Sequence, residues 1–74
     1  MIRDPRIAQQ VSDLMIEFQG RLNGSIITVQ EKCSSEEFKV YRLAVGKIMG
    51  EMLLEVMNPL YARHPALKPS ELSD

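Results

Sequence analysis

The sequence has no tryptophan, two phenylalanines, two tyrosines, one cysteine and one histidine among its 74 residues. Each scarcity removes a class of answer. A lone cysteine excludes a disulfide within the chain. Cys33 and His64 together fall short of the four side-chain ligands of a structural zinc site. With aromatics at 5%, a core must come from Leu, Ile, Val and the five methionines. A net charge of −1 argues against nucleic acid as the main partner, because phosphate binding needs a concentrated basic patch. The opening MIRDPRIAQQ has no apolar signal-peptide centre. The richest apolar run is interrupted by Lys47, Glu51 and Glu55, so no membrane span is expected. With one cysteine and no targeting segment, the expected setting is a reducing cytoplasm.

What is present is a foldable composition, 45% hydrophobic and 26% charged. The chain is expected to form one helical domain over 1–67, with a poorly ordered tail over 68–74. Its organising stretch is Ser34 to Met57. Ser34 and Glu37 have the S-x-x-E spacing of a capping box, and Glu36 and Glu37 add negative charge at a helix N-terminus. Phe38, Tyr41, Val45, Ile48, Met52 and Val56 follow at steps of three and four, with Met49 and Leu53 widening the face. A helix is predicted over 35–57, ending near Asn58 because Pro59 disfavours its continuation.

Upstream, Asp4-Pro5 is a helix start. Ile7, Ala8, Val11, Leu14, Met15, Phe18 and Leu22 form an apolar arc, with Ile16 alone on the polar side. The spacing predicts a helix over 5–22, stopped at Asn23-Gly24. Between the helices, Ile26, Ile27, Thr28 and Val29 are β-branched. They are read as a long apolar connecting loop, in preference to a short strand paired with its copy. A brief helical turn is predicted over 59–63, closed by Pro65.

The expected architecture is all-α: an antiparallel two-helix hairpin pairing into a homodimeric four-helix bundle. One helix covers only one side of its neighbour, and a chain this short needs a further source of stability. The dimer interface is assigned to Tyr41, Val45, Ile48, Met49, Met52 and Leu53. Gly46 and Gly50 cost about 1 kcal/mol each relative to alanine inside a helix. They mark either a close helix–helix crossing or tolerated positions. With Lys39 and Arg42 on the neighbouring flank, they form a candidate site for a protein partner.

No catalytic, cofactor-binding or metal-ligating residues are expected. Cys33 precedes a helix N-terminus, but His64 lies beyond the far end of that helix, roughly 35 Å away. Glu51 and Glu55 share a face assigned to water. No glycine-rich phosphate loop is present. The sequence therefore reads as a non-enzymatic interaction or regulatory module acting as a homodimer. The alternatives are a subunit of a larger assembly, or a nucleic-acid-associated regulator using Lys39, Arg42, Arg63 and Lys68.

Overall fold

The structure, a computed structural model, describes residues 1–69. It is an antiparallel helical hairpin, with no strand among the described residues. The expected disordered tail lies outside the described residues from residue 70 onward.

Helix α1 spans Pro5–Lys32. The Asp4 carboxylate caps it, accepting from the Arg6 N–H at 2.9 Å, and Pro5 opens the first turn. The helix does not stop at Asn23-Gly24, and the expected loop over 26–29 is helical. The reason is packing. Leu22, Ser25, Ile26 and Val29 lie on the half-buried stripe already set by Ala8, Ser12, Met15 and Gln19. Steps of four and three alternate along this stripe, Ala8, Ser12, Met15, Gln19, Leu22, Ile26, Val29. Burial along it outweighs a β-branched penalty of roughly half a kcal/mol per residue. The Ser25 hydroxyl donates to the Leu22 carbonyl at 2.6 Å, and Thr28 donates to Gly24 at 3.2 Å, so these polar side chains are satisfied within the helix. The connection is only Cys33 and Ser34.

Helix α2 spans Ser35–Glu51. Its capping box is formed at both ends: the Glu37 N–H donates to Ser34 Oγ at 3.1 Å, and the Ser34 N–H donates to Glu37 Oε1 at 3.1 Å. The helix does not end near Asn58. It passes through a π-helical turn, Met52–Met57, into α3, Asn58–Arg63, with helical backbone angles throughout. Pro59 supplies the physical reason. In an α-helix its ring would press on the carbonyl four residues back and leave that carbonyl without a donor. The π turn closes on the fifth residue instead, with the Asn58 N–H donating to Leu53, and so takes the proline without breaking the arm.

A 3-10 turn, Pro65–Leu67, follows. Lys68 caps it through its N–H to the Pro65 carbonyl, and Pro69 is half-buried. His64 Nε2 donates to the Ile2 carbonyl, tying the extended N-terminus to the end of the second arm.

The core sits at the open end of the hairpin. Ala8, Met57, Leu60 and Tyr61 are buried there, with Ile2, Val11, Met15, Leu53 and Leu67 around them. Further along, the arms are joined by polar contacts. Gln19 donates to the Met49 carbonyl at 3.0 Å, and the Ser25 and Tyr41 hydroxyls are 2.7 Å apart. The single Ser25 proton already goes to Leu22, so Tyr41 is the donor in that pair. The molecule is elongated: its radius of gyration is 14.4 Å, against about 11 Å for a compact chain of this length.

Candidate functional site

Two helices side by side make a single layer, and its two broad faces are the candidate functional surfaces. The six residues assigned to a dimer interface do not share one face. Val45 is 5% exposed and packed inside the chain. Tyr41 is half-buried and spends its hydroxyl on Ser25. Met49, Met52 and Leu53 are half-buried, whereas Ile48 is exposed. Val45 is thus covered by its own chain.

Lys39, Arg42 and Gly46 are exposed and Gly50 is half-buried, at spacings that form one stripe on α2. The Arg42 guanidinium lies 5.8 Å from the Phe38 ring centroid, a cation–π distance that holds the side chain along the helix. Gly46 and Gly50 do not mark a crossing within the hairpin: a Cβ built on either meets no atom within 4 Å. Gly50 instead lines an open groove of about 460 Å³ with Ile16, Gln19, Met49 and Leu53. Ile16, singled out as a lone apolar residue on a polar side, is therefore part of an apolar groove.

The apolar arc of α1 is only half used. Ala8 is buried and Val11, Met15 and Leu22 are half-buried, but Ile7, Leu14 and Phe18 remain 45%, 44% and 45% exposed. These three were missed as surface residues. The signal was available in the second heptad-like stripe they form beside the packed one: an arc that wide exceeds what one neighbouring helix can cover.

The candidate reactive residues are kept apart. Cys33 is exposed at the bend. It lines a second groove with Val29, Val40, Tyr41 and Ala44. His64 lies at the open end, half-buried and bonded to Ile2. Glu51 and Glu55 are both exposed. Among the described residues no group of three His, Cys, Asp or Glu side chains is placed to hold a metal ion. No helix among them is long and apolar enough to cross a membrane. The Glu37 carboxyl is held below the usual glutamate range, first by the Ser34 N–H and then by the Ser34 hydroxyl.

Comparison with protein-family models, with curated proteins and with solved structures finds no match.

Proposed function

We propose that this chain is a small, non-enzymatic protein–protein interaction module of the cytoplasm that works as a homodimer. The observation supporting this reading is the apolar surface left open on both arms of the hairpin. Ile7, Leu14, Ile16 and Phe18 on α1, and Val40, Leu43 and Ile48 on α2, are all exposed. Soluble monomers rarely expose contiguous apolar patches beyond a few hundred Å².

The partner-binding flank is the Lys39, Arg42, Gly46 and Gly50 stripe with the groove beside it. The glycines leave the α2 backbone open to close approach, and Arg42, over the Phe38 ring, offers a charge about two turns from Gly50 on the same stripe. An apolar helix with an acidic rim suits that combination. The test is affinity capture from lysate with the wild-type chain and with Arg42→Glu at equal helicity. A protein retained by the first and lost from the second is expected. Identical capture profiles would defeat the assignment of this flank.

A further inference from the structure

We infer that the second copy of this chain docks on one particular face of the layer, made by Ile7, Leu14 and Phe18 of α1 with Val40, Ala44 and Ile48 of α2. The inference rests on the homodimer reading above and gives it a surface.

The two stripes share one side of the hairpin. Along α1, exposed Ile7, Leu14 and Phe18 follow one another by steps of seven and four, and half-buried Ser25 and Val29, seven and eleven residues beyond Phe18, stand at the border between this stripe and the packed one. Val29 lines the groove at the bend with Val40, Tyr41 and Ala44 of α2. Ile48 continues the α2 stripe four residues beyond Ala44. Ser25 meets Tyr41 on the same side. Ile16, two residues from both Leu14 and Phe18, points to the opposite groove with Met49 and Leu53.

Area identifies the occupant. The chain exposes 5540 Å², whereas a folded monomer of 8.4 kDa exposes about 4600 Å². The surplus is of the size one protomer gives to a standard interface, about 800 Å². Among the described residues the buried apolar side chains are Ala8, Val45, Met57, Leu60 and Tyr61, few for a chain of this size to stand alone. A two-fold pair laid face to face covers the same open stripes twice over and turns the single layer into two packed layers.

The test measures mass by light scattering across a dilution series for the wild-type chain, Phe18→Glu and Ile16→Glu. The wild-type chain is expected to be a dimer, with Phe18→Glu weakening it about 100-fold and Ile16→Glu leaving it unchanged. Hydroxyl-radical footprinting of the wild-type chain, above and below its dissociation constant, decides the matter even if Phe18→Glu fails to fold. Protection on dimerisation at Leu14, Phe18 and Ile48 supports the face. A dimer that loses protection nowhere but at Ile16, Met49 and Leu53 on dilution overturns the face and leaves the homodimer standing. A monomer at every concentration overturns both.

Discussion

The hydroxyls of Ser12 and Tyr61 lie 2.6 Å apart, buried at the open end of the hairpin and separated by 49 residues of sequence. Each satisfies the other, and no buried side-chain polar atom among the described residues is left without a partner. The pair fixes the register of the two arms, because sliding or rotating either one leaves a hydroxyl unpaired in the core.

Tyr61→Phe is expected to destabilise the protein by about 1–2 kcal/mol, since Ser12 loses its partner while the ring still packs. In the double variant with Ser12→Ala, the total loss should be smaller than the sum of the two single losses. Urea unfolding of all four proteins measures this. Strict additivity would mean that the pair does not couple.

The second serine–tyrosine pair should behave differently. Ser25 keeps its bond to the Leu22 carbonyl when Tyr41 loses its hydroxyl. Tyr41→Phe should therefore cost less than Tyr61→Phe, of order 0.5 kcal/mol. The order of the two unfolding midpoints checks it, and a reversed order refutes it.

The π turn carries one residue more than an α turn would. Deleting exposed Leu54 together with Pro59→Ala should let the arm close as continuous α-helix with Leu60 and Tyr61 still facing α1. Deleting exposed Leu43 instead rotates everything beyond it by about 100° and should abolish cooperative unfolding. Circular dichroism melts of the two deletions distinguish them. Equal damage from both would show that the π turn is not a register insertion.

Gly46→Ala and Gly50→Ala meet open space and helical backbone. Each is expected to raise stability by about 0.4–1 kcal/mol. If a partner's backbone lies on this stripe, the same variants should weaken its binding while the melting temperature rises. That opposite movement is the signature of a docking position.

The Ser34–Glu37 capping box should make stability fall in acid. The folded-state pKa of Glu37 is held below its unfolded value by the bonds from Ser34. Its contribution is present above the unfolded value and is lost as pH falls through the lower folded one. Glu37→Gln can keep the bond from the Ser34 N–H without titrating, so its stability should change less over the same acid range. Parallel pH profiles for the two proteins would contradict this.

The sequence by itself determined the helical class, both helix starts and the hairpin. These are local matters: Asp4 with Pro5 and Ser34 with Glu37 satisfy their own helix N-termini, and three-four spacing needs only neighbouring residues. It misjudged both helix ends, and for one reason. Asn23-Gly24, the run Ile26 to Val29, and Pro59 are breakers on local propensity. Each is overruled by contacts from distant chain: the α1 stripe against α2, and Leu60 and Tyr61 against Ala8 and Ser12. Tertiary structure also decided which half of each wide apolar arc is used. Spacing places Met15 and Phe18 on the same arc of α1, but only packing against the second arm half-buries Met15 and leaves Phe18 to face outward. That choice depends on the angle at which two helices meet, a quantity that no single helix encodes.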